Sequence, residues 1–231
     1  MRKALVIILA VLCMGLGTSG AGAATIDLFE WGFNVNGTIY KPGDALPGYF
    51  NTSGFNFATG LGTITLDHNF GGPGSRSFTA FFDHEIDETI NTFFNELGTT
   101  GGTRQSWQSW EIDEPGYVFG DIYNNFLAAA LDKDNGVPST APDDVSMAMG
   151  WSFTLGPDEE AYISMTIGRQ APGPGTLYLA QTDPDSNETL YFFGTYDTGT
   201  PGGVVPEPST LLLVGAGLLG VAAYGRKRFR N

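Results

Sequence analysis

The sequence predicts a mainly β fold: a two-sheet β-sandwich with one or two inserted short helices, followed by a C-terminal transmembrane helix. Three observations carry this expectation. Val145, Met147, Met149, Trp151, Phe153 and Leu155 alternate with small or polar neighbours in "VSMAMGWSFTL", the period of a half-buried strand. Glycine (33) and proline (13) punctuate a chain that is 13% aromatic, a composition that favours strands and turns. One uncharged apolar run, residues 211–224, stands apart near the end of the chain, with a cluster of bases behind it. Strands with one apolar face must cover it, and a second sheet is the natural cover.

The elements follow in order. Met1, Arg2 and Lys3 form a short positive region, and residues 4–16 are apolar. "GTSGAGAA" then supplies small residues, and Ala21 and Ala23 fit the A-x-A cleavage rule, with cleavage one residue later as the alternative. Residues 1–23 therefore read as a secretory signal peptide. They are too short for a first membrane span, which needs ~20 apolar residues. Cys13, the single cysteine, is preceded by Leu12 where a lipoprotein signal wants a small residue, and it leaves with the leader. The mature chain then has no disulfide, no thiolate nucleophile and no cysteine-bound zinc, although export would place it in an oxidising compartment.

"TIDLFEWGF" begins the mature chain with Ile26 and Leu28 on one face and, after a switch, Trp31 and Phe33. "GTITLDHNF" alternates Ile64, Leu66 and His68, and "SFTAFFD" follows the turn-rich "GGPGSR". Helical spacing appears next in "DHEIDETINTFFNELG". Ile86, Ile90, Phe93, Phe94 and Leu97 share one helical face, Asp83 suits the N-cap and Gly98 the C-terminal glycine position. "SWQSWEI" reads as a strand. "GDIYNNFLAAALDKDNG" reads as a second helix, with Ile122, Phe126 and Leu127 on its apolar face. After "VSMAMGWSFTL", "GPDEE" is read as a turn and "AYISMTIG" as the hairpin partner. "GTLYLAQ" and "ETLYFFG" flank the turn "TDPDSN". Residues 24–197 are thus an acidic exported domain, and residues 198–204 a Gly/Pro linker.

Between residues 24 and 205 five bases stand against 24 acids, a net charge of −19. This field repels nucleic acid and anionic lipid, so neither is an expected partner of the domain. Sites of chemistry are sparse. His84-Glu85 begins a zinc-protease pattern, but Glu88 stands where the second histidine belongs. A site from His84, Glu88 and His68 competes with the plainer reading of a polar helix start on the surface. Asp132 and Asp134, and Asp183, Asp185 and Asn187, resemble calcium loops but lack the EF-hand glycine and terminal acid. They read as Asx turns or as calcium ligands outside that motif; no other cofactor is expected. Glu111, Asp113 and Glu114 could serve hydrolysis, yet acids occur throughout. Trp31, Trp107, Trp110 and Trp151 could stack on sugars or fill a core. "GAGLLG" (215–220) lies inside the apolar run and has no following strand, so it is not a dinucleotide site. No nucleophile motif and no phosphate loop is present. A non-enzymatic protein is the expectation, with a polysaccharide-binding or polysaccharide-degrading module as the alternative.

Residues 205–231 complete the reading. Pro206-Glu207-Pro208, then the apolar run, then Arg226, Lys227, Arg228 and Arg230 resemble the PEP-CTERM sorting signal of exported bacterial proteins. The central stretches "FFDHEIDETINTFFNE", "SWEIDEPGYVFGDIYNNFL" and "DDVSMAMGWSF" are similar to the ectodomains that accompany this signal. The resemblance implies recognition of Pro206, Glu207 and Pro208 by an exosortase in the inner membrane of a Gram-negative bacterium. It also implies a place in the exopolysaccharide or biofilm, with extracellular polysaccharide as a partner. The physics is consistent. The 14 apolar residues span about 21 Å as a helix, short of a ~30 Å bilayer core. The four bases behind them act as a membrane stop on the cytoplasmic side, which leaves the acidic domain periplasmic in the precursor.

Overall fold

Alternation breaks once in the first strand. β1 (Ile26–Val35) pairs with β5 (Gly74–Ile86), and the register shifts between Leu28 and Glu30. This bulge is the switch from the Ile26/Leu28 face to the Trp31/Phe33 face, with Phe29 left 62% exposed. The chain continues through β2 (Thr38–Tyr40), β3 (Phe50–Asn56), β4 (Leu61–His68), β5, β6 (Leu97–Gly101) and β7 (Gln108–Asp113). Helix α1 (Ile122–Ala128) follows, then β8 (Ser146–Leu155), β9 (Glu160–Gly168), β10 (Tyr178–Asp183) and β11 (Glu188–Gly199). This computed structural model describes residues 24–88, 92–116 and 118–200.

The strands form two antiparallel sheets, ordered β2-β1-β5-β8-β7 and β3-β4-β9-β11-β10-β6. Their inner faces share one core. Phe33, Phe78, Phe82, Met147, Met149 and Trp151 enter it from the first sheet; Ile64, Leu66, Ile163, Met165, Leu179 and Phe192 enter from the second. Phe82 and Phe192 meet edge to face across the interface at 5.2 Å. Burying each such side chain stabilises the fold by roughly 1.5–3 kcal/mol. The β class, the two sheets and one short helix agree with the sequence expectation. Among the described residues no helix is long and apolar enough to cross a membrane. Residues 1–23, read as a signal peptide with Ala21 and Ala23, residues 201–204 of the expected linker and the segment 205–231 lie outside the described residues.

Several local expectations are corrected. The helix expected over residues 84–97 is absent from the described part of that stretch. Asp83, His84, Glu85 and Ile86 continue β5, residues 93–95 make one 3-10 turn, and Leu97 begins β6. β5 is buried on both faces from Phe78 to His84, because α1 covers its outer side. Such a strand loses its period-two signature, and its tail then mimics a helical one. Gly98 is therefore no helix cap. It sits in β6 because a Cβ there would meet Ile112 Cγ2 at 2.5 Å and Asn135 Oδ1 at 2.7 Å.

β8 and β9 form no hairpin: β8 pairs with β5 and β7, while β9 pairs with β4 and β11. Both sides of β8 are already occupied, so the "GPDEE" connection carries the chain to the other sheet. β8 is also more than half buried, since Ser146, Ala148 and Gly150 lie under cover as well. In α1, Ile122 and Phe126 are buried as expected, but Leu127 is 41% exposed. Asn34 of β1 fixes this end of the helix, donating through Nδ2 to the carbonyls of Phe126 (3.0 Å) and Leu127 (2.9 Å). β11 runs to Gly199, so Thr198 and Gly199, read as linker, pair with Ala161 and Glu160.

Candidate functional site

At one edge the two sheets part around a cleft of about 230 Å³. β7 and the residue before it supply Gln108 and Trp107. β11 supplies Gly194, Thr195 and Tyr196. The stretches after β6 and before β10 close the rim with Thr103, Gln105 and Thr176. Trp107 is half-buried, and its ring lies 5.2 Å from Tyr196 at an interplanar angle of 55°. Tyr196 in turn stacks on Phe153 at 4.8 Å, so its ring is held from two sides. Burial raises the Tyr196 pKa, with Glu159 and Asp197 adding to the effect, so the phenol stays protonated at neutral pH.

Gly194 makes the cleft's inner wall. A Cβ there would lie 2.6 Å from Trp151 Cζ2 and 2.7 Å from Ser164 O, so β11 approaches the Trp151 ring edge only as glycine. Trp151 is fully buried, and its indole N–H has no acceptor among the described residues. Gln108 is likewise buried. Its Oε1 accepts the Gln105 backbone N–H at 3.0 Å, whereas its Nε2 has a 4.0 Å contact with Met149 Sδ. Arg104 Nη1 donates to the carbonyls of Gln108 (3.0 Å) and Gln105 (3.3 Å), which ties down the rim.

The acids gather elsewhere. Carboxylate oxygens of Glu111, Asp121 and Asp132 lie within 4.8 Å of one another. Glu111 is buried on β7 and accepts from Asn125 Nδ2 at 3.0 Å and from the Asp132 backbone N–H at 2.9 Å. Burial outweighs these bonds and pushes its pKa up to about 7. Of the calcium candidates, Asp132 joins this group and Asp134 lies outside it. The other three sit in the β10–β11 turn, where Asp183 is buried and spends its oxygens on the N–H groups of Asp185 and Ser186, both at 3.0 Å. Asp185 accepts from Asn95 Nδ2 at 2.9 Å, and Asn187 takes a positive φ of 58°. Asp113, the second of the hydrolysis candidates, accepts the Asp121 backbone N–H at 2.8 Å. Glu114 lines a separate hollow of about 220 Å³ with Asp143, Asp144 and exposed Val118 and Phe119.

The histidines do not converge with Glu88. His84 is fully buried rather than on a polar helix start. Its Nε2 donates to Gly60 O at 3.3 Å, Nδ1 has no partner among the described residues, and burial lowers its pKa to about 4. His68, on the other sheet, stacks on Tyr49 with ring centroids 3.9 Å apart. Among the tryptophans, Trp31 and Trp151 are core, Trp107 and Trp110 pack against it from partly buried positions, and Trp107 also lines the cleft.

A family model described as the PEP-CTERM protein-sorting motif matches residues 204–228. The chain carries a PEP-CTERM sorting signal. No curated protein and no solved structure matches the chain. The PEP-CTERM match contains Pro206, Glu207 and Pro208 together with Arg226, Lys227 and Arg228, and Arg230 falls just beyond it. All of these lie outside the described residues. In sequence the signal follows β11 closely, the strand that also bears Gly194 and Tyr196. Trp107 was visible as a candidate in the sequence; Gln108, Gly194 and Tyr196 were not, since nothing in their local pattern sets them apart.

Proposed function

We propose that this protein is an exported, non-enzymatic component of the cell surface or of an extracellular polysaccharide matrix, delivered through its PEP-CTERM signal. The observation that carries the reading is the motif at residues 204–228. Residues 1–23 act as the signal peptide. The run at 211–224 holds the precursor in the inner membrane, with the bases from Arg226 to Arg230 on the cytoplasmic side. An exosortase then cuts at or near Pro206-Glu207-Pro208. The two prolines suit this role because a proline disfavours helix in the residue before it, here Val205 and Glu207, and proteases bind extended backbone.

Replacing Pro206, Glu207 and Pro208 together with alanine tests the reading. Uncleaved precursor should accumulate in the inner-membrane fraction, read by intact mass. Loss of the tail and normal surface delivery in the variant would overturn it. A second reading makes the domain a polysaccharide-binding module, and the Trp107–Tyr196 cleft is the observation that favours it. Release of reducing sugar by the purified protein would point instead to a polysaccharide-degrading enzyme.

A further inference from the structure

We propose that the cleft lined by Trp107 and Tyr196 binds a single neutral pyranose unit of an extracellular polysaccharide, with Trp107 offering the aromatic face. The inference rests on the reading of the chain as a surface or matrix protein and assigns that role to particular residues. A pyranose ring has apolar C–H faces and a rim of hydroxyls. It needs an aromatic surface for the face and uncharged groups that both donate and accept for the rim. The cleft supplies both. Trp107 is half-exposed, and Tyr196 is already fixed between Trp107 and Phe153, so little ordering remains to be done on binding. Thr103, Gln105, Thr176 and Thr195 bring hydroxyls and an amide to the lining.

One further donor lacks a good acceptor among the described residues. Gln108 Nε2, a buried residue on the cleft lining, has only its long contact with sulfur. Buried donors of this kind are normally satisfied, and a sugar oxygen or the water it carries is a suitable acceptor. Charge selects the class of sugar. Among the described residues no charged side chain lines the cleft, although the domain carries −19, and the Arg104 guanidinium nearby is bonded to backbone carbonyls. The domain's field disfavours uronate or sulfated sugars, and the lining offers an amino sugar no carboxylate. The volume, below the ~300–1,000 Å³ of sites that swallow whole ligands, suits one ring of a longer chain.

The test uses the full chain purified in detergent micelles. Binding is measured by tryptophan fluorescence and by retardation in gels containing a neutral β-glucan, a neutral α-glucan (dextran), anionic alginate or cationic chitosan. Retardation by at least one neutral glycan is expected, with affinity weakened at least tenfold in Trp107→Ala and several-fold in Trp107→Phe. Phe29→Ala, on the exposed bulge of β1, should bind as the parent does. Circular dichroism melting shows that each variant is folded, and a Gln108→Leu variant gives an independent reading of the polar wall. Failure to bind either neutral glycan, a preference for alginate or chitosan that is lost in Trp107→Ala, or unchanged neutral-glycan binding in folded Trp107→Ala would each overturn the proposal. Cell fractionation separates the two readings. Surface delivery without glycan binding sinks the cleft assignment alone, while glycan binding by a protein that never leaves the inner membrane sinks the surface reading alone.

Discussion

The side-chain amide of Gln181 donates through Nε2 to Glu96 Oε2 at 2.6 Å, with both residues fully buried. The same Nε2 donates to the His84 carbonyl at 2.7 Å, so the amide's orientation is set by two acceptors. Val145 N–H adds a 3.3 Å bond to Glu96 Oε2, and among the described residues no partner reaches Oε1. A carboxylate so placed has neutral donors for one oxygen and nothing for the other. Burial dominates and pushes its pKa up to about 9, with Asp144 and Glu85 adding like charge. Glu96 is therefore a neutral acid at physiological pH.

The first prediction is a stability that falls as pH rises. Burial pushes Glu85 and Glu111 up to about 7 and Asp144 to about 6, and it holds Asp83 well above the carboxylate range. Each group binds its proton more tightly folded than unfolded. Its contribution is complete below the unfolded pKa and is lost as pH climbs through the folded one. Each proton held only by the folded state removes about 1.4 kcal/mol per pH unit. Thermal melts should show Tm highest near pH 5 and lower by more than about 5 °C at pH 9. A flat or rising profile over that range would contradict the buried acids.

Glu96→Gln should remove one proton from this dependence. The amide keeps an oxygen for Gln181 and Val145 but cannot ionise, so its Tm should exceed the parent's at pH 9 and approach it at pH 5. Melts of the two proteins across pH 5–9 measure the change in slope. Parallel profiles would show that Glu96 is not the titrating group.

Asn34→Ala should release the C-terminal end of α1. The Phe126 carbonyl keeps the Ala129 N–H at 3.1 Å, so the loss is that of the two side-chain hydrogen bonds, about 0.5–1.5 kcal/mol each. Urea unfolding should report the destabilisation, and amide exchange should quicken in α1 well before it does in β5 or β8.

Gly98→Ala separates the strand from the helix cap. Gly98 has no positive φ, and the added methyl would collide with Ile112 Cγ2 and Asn135 Oδ1. Overpacking of this kind costs about 1–3 kcal/mol. Asn135 donates to Gly98 O at 2.7 Å, so the strain falls on a tight contact. A variant as stable as the parent would place Gly98 in open space.

What the sequence determined by itself was what depends on near neighbours. Alternation in residues 145–155 marks a strand because side chains point to opposite faces with period two. The bulge at Phe29 was readable as a change of face, and the β10–β11 hairpin as two apolar runs around "TDPDSN". The sorting signal was legible for the same reason, being a linear motif. Tertiary structure decided everything that joins distant residues. Local pattern does not say which sheet a strand enters, so the apparent β8–β9 hairpin became a crossing between sheets. Cover by α1 erased the period of β5 and left its end resembling a helix. Glu96 looks like any other surface acid until Gln181, 85 residues away, closes over it. The cleft likewise exists only where Trp107 of one sheet meets Gly194 and Tyr196 of the other, a contact that no window along the chain contains.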